Sequence, residues 1–138
     1  MATYFSDIPN IRFEGAESDN PLAFKYYDKS RVVAGKSMAE HFKFAMAWWH
    51  TLRNTGGDPF GPGTAQYPWL GGDNPVQEAK NAVDAGFEIM EKLDLDYFCF
   101  HDVDLLDEAE ADLETYAKRL DEVTDYLKAK MEATGRKV

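Results

Sequence analysis

The fold is decided by a short aromatic stretch, residues 96–102, which reads DYFCFHD. Its centre, residues 97–100, is an apolar run too short for a helix, so it predicts a buried strand. An earlier run at residues 44–51, FAMAWWHT, is almost entirely apolar and is typical of a strand buried on both faces of a parallel sheet. The sequence therefore predicts two core strands.

Each predicted strand is followed by a segment of helical periodicity. Asn74 and Pro75 are typical of an N-cap and a first helical residue, where the N–H that proline lacks would be unsatisfied anyway. Asp107 and Glu110 have the spacing of a second helix start, and Gly135 is the expected C-cap. Apolar residues recur every three or four positions in both segments: Ala79, Val83, Phe87, Met90 and Leu93 in the first, and Leu113, Tyr116, Leu120, Val123, Leu127 and Met131 in the second.

The order strand, helix, strand, helix predicts an α/β fold in which right-handed crossovers join parallel strands. Residues 136–138 follow the last helix and are interpreted as the entry to a further strand. Two strands do not close a sheet, and both edges of such a pair would expose unpaired backbone groups. We therefore expect more chain, or another copy of this chain, to cover the edges.

The remaining segments are predicted to be irregular. Residues 1–36 form an arm with short strands at 11–14 and 24–27, and residues 37–138 form the strand and helix units. Ser37 and Glu40 match a capping box, so a short helix is expected to begin there. The long loop at residues 53–73 is rich in glycine and proline, and loops of this length are usually functional.

Composition limits the classes of protein to which the chain can belong. It has 138 residues, with 25 acidic and 15 basic side chains and a formal net charge of −10. Such a surface is a poor partner for nucleic acid, and no stretch approaches the roughly 20 apolar residues of a membrane span. The single cysteine, Cys99, cannot form an internal disulfide. The sequence therefore predicts a soluble cytoplasmic protein of one domain.

His101 and Asp104 are the residues that could carry chemistry, because they follow the second predicted strand. A spacing of three lets the carboxylate accept a hydrogen bond from the imidazole, which fixes the tautomer and raises the basicity of the other nitrogen. Such a pair can move a proton between two oxygen atoms of a bound molecule. The pair alone is also compatible with a structural role, in which His101 ends a strand and Asp104 is a loop acid.

Three separated segments together resemble the xylose isomerase family: residues 48–51 (WWHT), 58–64 (DPFGPGT) and 97–104 (YFCFHDVD). Residues 13–15 (FEG) and 20–24 (NPLAF) are similar to the longer-chained class of that family. The resemblance covers nearly the whole chain. It implies the amino-terminal portion of a (β/α)8 TIM barrel, with two strand–helix units after the arm and the barrel incomplete.

The resemblance also implies roles for four residues. His101 would assist the opening of a cyclic aldose, and Asp104 would orient and polarise His101. Trp49 would form part of the apolar wall along the sugar. Phe60 is similar to an aromatic residue that this family inserts into the active site of a neighbouring subunit, although a local role as a plug of its own loop stays equally open.

The activity implied by the family is the interconversion of D-xylose and D-xylulose, and of D-glucose and D-fructose. It proceeds by ring opening and a hydride shift assisted by two divalent cations, Mg, Mn or Co, in a homotetramer. The family's metal ligands come from later strands, so no metal site is expected in this chain and the isolated fragment should be inactive. The alternative is a non-catalytic, self-assembling α/β module whose copies pack their open edges together.

Overall fold

The structure is a computed structural model that describes residues 3–72, 74–108 and 111–138. Within these ranges it is mixed α/β, with two small sheets and five helices. None of the described helices has the length and apolarity needed to cross a bilayer. The elements are β1 (Val32–Val33), β2 (Lys36–Ser37), α1 (Met38–His41), β3 (Ala45–Ala47), α2 (Trp48–Thr51), α3 (Pro75–Leu93), β4 (Tyr97–Cys99), α4 (Asp102–Leu105) and α5 (Leu113–Thr134).

The central sheet pairs β3 with β4 in parallel, with Met46 opposite Phe98. On its other side β4 forms a parallel bridge from Tyr97 to Lys137, and the N–H of Phe98 donates to the carbonyl of Lys137 at 3.0 Å. The predicted parallel pair and the entry to a further strand are therefore confirmed. The partial (β/α)8 barrel implied by the family resemblance stays a prediction.

The first core strand is shorter than predicted. It ends at Ala47, and the residues from Trp48 onward form the turn α2, in which the N–H of Leu52 donates to the carbonyl of Trp48 at 2.8 Å. Pairing with β4 stops where Ala47 meets Cys99, so no ladder holds the next residues extended. The buried indole of Trp48 instead stacks on Phe98 at 5.2 Å. A continuous apolar run cannot distinguish a buried strand from a buried helical turn.

Helix α3 begins where the sequence predicts. The side chain of Asn74 accepts hydrogen bonds from the N–H groups of Val76 and Gln77 at 3.1 and 3.2 Å, and Pro75 is the first helical residue. Asp94 ends the helix in the left-handed region, with φ 56°. The helix covers the sheet, and its apolar face joins a core whose largest buried side chains are Trp48, Phe98, Leu52, Met90, Leu106, Val83 and Val123.

Helix α5 begins later than predicted but ends as expected. Asp112, not Asp107, is its N-cap and accepts a hydrogen bond from the N–H of Thr115 at 3.0 Å. Leu106, just before Asp107, is buried, so the chain packs into the core at this point and α5 begins only after it. Glu110, the other half of the predicted cap, lies outside the described residues. Gly135 ends the helix with φ 74°, as predicted.

The arm is less regular than the sequence suggests. The predicted strands at 11–14 and 24–27 contribute only a single bridge between Phe13 and Phe24 among the described residues. The hairpin formed by β1 and β2 lies farther along, and β2 spans the predicted boundary between residues 36 and 37. The capping box of α1 is confirmed: the N–H of Ser37 donates to Glu40 at 2.7 Å, and Ser37 Oγ accepts from the N–H of Glu40.

Candidate functional site

The candidate site lies where β4 ends and α4 begins. Asp104 Oδ2 accepts one hydrogen bond from the backbone N–H of His101 at 2.8 Å and lies 2.9 Å from Nδ1 of its ring. A carboxylate only accepts hydrogen bonds, so the ring nitrogen that contacts it carries the proton. Nε2 of His101 is thereby left with a lone pair that can accept a proton.

The two side chains differ in exposure in a way that suits proton transfer. The His101 side chain is 63% exposed, whereas that of Asp104 is 8% exposed. The carboxylate is therefore shielded from solvent, whereas the imidazole is exposed to solvent. This arrangement orients one particular edge of the ring, which is what a residue that exchanges protons with a bound molecule needs.

Trp49 brings the end of the neighbouring strand into the same site. It is the second residue after β3, is half-buried in α2, and its ring centroid lies 4.7 Å from that of His101. The parallel pairing of β3 with β4 causes this contact, because the carboxyl ends of parallel strands meet at one edge of a sheet. The structure thus brings together three of the four residues singled out from sequence.

Phe60 stands in a tight turn of the long loop. Asp58 Oδ1 accepts from the N–H groups of Phe60 and Gly61 at 2.8 and 3.1 Å, which fixes the turn. Gly63 approaches Thr55 so closely that a Cβ at position 63 would overlap it. The ring of Phe60 is 96% exposed, so it does not plug its own loop. Its role in a neighbouring subunit stays a prediction.

Arg53 is a site residue that the sequence did not reveal. Its Nε donates to the carbonyl of Asp104 at 2.8 Å and its Nη2 to the carbonyl of Leu105 at 3.3 Å. Burial lowers the pKa of Arg53, while the nearby carboxylates of Asp107, Glu78 and Asp104 raise it. No motif marks such a residue, because backbone carbonyls are available at every position.

The described residues do not fit the two-cation centre that the family resemblance implies. No three His, Cys, Asp or Glu side chains among residues 3–72, 74–108 and 111–138 come close enough together to hold a metal ion. The buried carboxylate of Asp104 is occupied by His101. Divalent cations of this kind need several oxygen ligands, and one such group does not supply them.

No protein-family model matches the chain. Comparison with curated proteins finds relatives over its whole length. It is 54% identical over 140 residues to the xylose isomerase of Bacteroides fragilis. The aligned segment covers 100% of this chain and 32% of that protein. It is 44% identical to the xylose isomerase of Tetragenococcus halophilus, over 98% of this chain and 31% of that protein. The chain thus spans about a third of the length of the curated relatives it matches.

Proposed function

Because this chain belongs to the xylose isomerase family, we propose that it supplies the ring-opening part of an aldose–ketose isomerase site. The substrates proposed are D-xylose, converted to D-xylulose, and D-glucose, converted to D-fructose. The observation that carries the proposal is the contact between His101 and Asp104 beside Trp49, at the carboxyl ends of two paired parallel strands. Active sites of α/β barrels lie at this end of the strands.

Ring opening requires one proton to leave the anomeric hydroxyl and one to reach the ring oxygen. Nε2 of His101 has the lone pair and the exposure to accept the first proton. Asp104, bonded to Nδ1, stabilises the positive imidazole that results, and His101 then returns the proton to the ring oxygen. The net reaction converts a cyclic aldose to its open aldehyde, with no proton gained or lost.

Trp49 and Phe60 are proposed to shape the sugar site. The indole of Trp49 lies beside the imidazole and offers an apolar face to the carbon backbone of a sugar. Phe60, exposed on a stiff turn, is proposed to reach the site of a neighbouring copy in a homo-oligomer, which is a tetramer in the family. The solvent-exposed ring would then be buried against the partner.

The hydride shift that completes the isomerisation is assigned to polypeptide outside this chain. Two divalent cations supply charge stabilisation for that step when bound, and the described residues offer no group of ligands for them. The isolated chain is therefore proposed to be inactive, with a cytoplasmic location expected for the complete enzyme. The competing candidate, a non-catalytic module that assembles through its open edges, remains as an outcome of the test.

The test completes the chain with the missing part of a relative. This chain is fused to the remaining two thirds of the Bacteroides fragilis xylose isomerase, and turnover of D-xylose is measured with Mg²⁺. His101→Asn should lower kcat/KM for D-xylose by roughly a hundredfold or more, within the range of general acid–base catalysis. The same variant should lose much less activity on D-glyceraldehyde, which is too short to form a ring.

The matched control is His50→Asn, which changes an exposed histidine next to Trp49 and should leave both activities near wild type. Equal losses on the cyclic and the short substrate would contradict a role in ring opening. A fusion that folds and binds Mg²⁺ but does not turn over D-xylose would contradict the isomerase proposal. In that case, a stable homo-oligomer of the isolated chain would favour the assembly module.

A further inference from the structure

Arg53 links the ends of the two core strands through contacts to backbone atoms. It follows Leu52, a fully buried residue at the end of α2, the turn after β3. Arg53 reaches across to α4, which follows β4. Its guanidinium donates to the carbonyls of Asp104 and Leu105 at 2.8 and 3.3 Å. The contact therefore spans two elements that are about fifty residues apart in sequence.

The carbonyls that Arg53 contacts need a partner. Helix α4 has only four residues, Asp102–Leu105, so the carbonyls near its end have no helical N–H to accept. A planar guanidinium can donate to two neighbouring acceptors at once, whereas an ammonium is a single point charge. The guanidinium of Arg53 thus donates to carbonyls at the end of α4, which is too short to satisfy them with its own N–H groups.

Asp104 is held by hydrogen bonds to both its backbone and its side chain. Its carbonyl accepts from Arg53, and its carboxylate accepts from the N–H and the ring of His101. Rotation of the backbone at Asp104 would move both groups together. Burial lowers the pKa of Arg53, and the nearby carboxylates of Asp107, Glu78 and Asp104 offset only part of that effect.

We propose that Arg53 is a positioning residue that acts through Asp104 to hold His101 in the tautomer with its proton on Nδ1. Arg53 itself touches no substrate. The inference rests on the proposed function for its catalytic meaning, but the effect on the imidazole can be measured in the absence of any activity.

The first experiment is nuclear magnetic resonance of the 138-residue chain with ¹⁵N-labelled histidine, at a pH where the imidazoles are neutral. Wild type should show His101 almost entirely as the Nδ1–H tautomer. Arg53→Met should convert it to a mixture of tautomers, and Arg53→Lys, which can reach one carbonyl but not both, should fall between them. His41 and His50, in the same spectrum, should not change.

A matched control has the same chemistry at a remote position. Arg12 also donates to carbonyls at a helix end, those of Glu91 and Lys92 at the end of α3. Arg12→Met should leave the His101 tautomer as in wild type. Because Arg53→Lys retains the charge and most of the volume, it keeps the test decisive if Arg53→Met does not fold.

A second variant tests whether Arg53 acts through Asp104. In an Asp104→Asn background, Arg53→Met should cause no further change in the His101 tautomer. A wild-type tautomer in both Arg53 variants would overturn the proposal, as would a further change in the Asp104→Asn background. In the completed fusion, Arg53→Lys should lower kcat by roughly tenfold with little change in KM. A fusion without turnover would count against the proposed function and leave the tautomer result intact.

Discussion

The indole of Trp49 lies 4.7 Å from the imidazole of His101, measured between ring centroids, with the two planes tilted by 44°. The two residues lie just beyond the carboxyl ends of neighbouring parallel strands, β3 and β4, and do not belong to one local motif. The contact therefore reports directly on whether the sheet has formed in the correct register. It also defines one wall of the candidate sugar site.

Removing this wall should weaken substrate binding more than chemistry. In the completed fusion, Trp49→Ala is expected to raise KM for D-xylose by about tenfold, as loss of about 1.4 kcal/mol of aromatic contact predicts. Trp49→Phe, which keeps an aromatic face, should raise it much less. Steady-state kinetics separates the two parameters, and a loss confined to kcat would assign Trp49 to the chemical step instead.

Replacing the buried carboxylate should impair the imidazole while leaving the fold intact. Asp104→Asn keeps the volume, but an amide can donate as well as accept, so His101 loses its fixed tautomer. We expect kcat to fall by roughly 10- to 100-fold in the fusion, as for loss of a residue that orients a histidine. Asp102→Asn, at an exposed position of the same helix α4, is the control and should retain wild-type turnover.

Gly86 marks the closest approach of α3 to the core. A Cβ there would lie 3.1 Å from Leu52 Cδ1 and 3.5 Å from both Met46 and Trp48. Gly86→Val should therefore lower the free energy of unfolding by about 1–3 kcal/mol through overpacking, measured by urea unfolding. Glu91→Val, at an exposed position of the same helix, isolates the helix propensity of valine. Equal destabilisation by both variants would contradict the packing argument.

The N-cap of α5 should make the stability of the folded state depend on pH in the acidic range. Hydrogen bonds from the hydroxyl and the N–H of Thr115 lower the pKa of Asp112, so the carboxylate stabilises the folded state above the pKa it has when unfolded. That stabilisation is lost as the pH falls through the lowered folded value, that is, below about pH 4. Asp112→Asn should therefore make the unfolding midpoint depend less on pH in this range. Asp121→Asn, an exposed acid within α5, serves as the control.

Sequence reasoning succeeded where local chemistry dictates structure. Asn74 and Pro75 located the start of α3, and Gly135 located the end of α5, because caps are satisfied by neighbouring atoms. It failed at α2, where buried residues such as Trp48 make a helical turn and a strand look alike. Arg53 was missed because its partners are backbone carbonyls of residues distant in sequence, and every residue type has such a carbonyl.

The pairing of β3 with β4 has a consequence for the order of folding. Met46 and Cys99 meet although about fifty residues separate them, so a long loop must close before a single ladder bond can form. Helix α3 lies within that loop and can form first from local contacts. The candidate site residues His101, Asp104 and Trp49 therefore come together in one of the last steps of folding, and a fault in the pairing of β3 with β4 would delay formation of the site before it altered helix content.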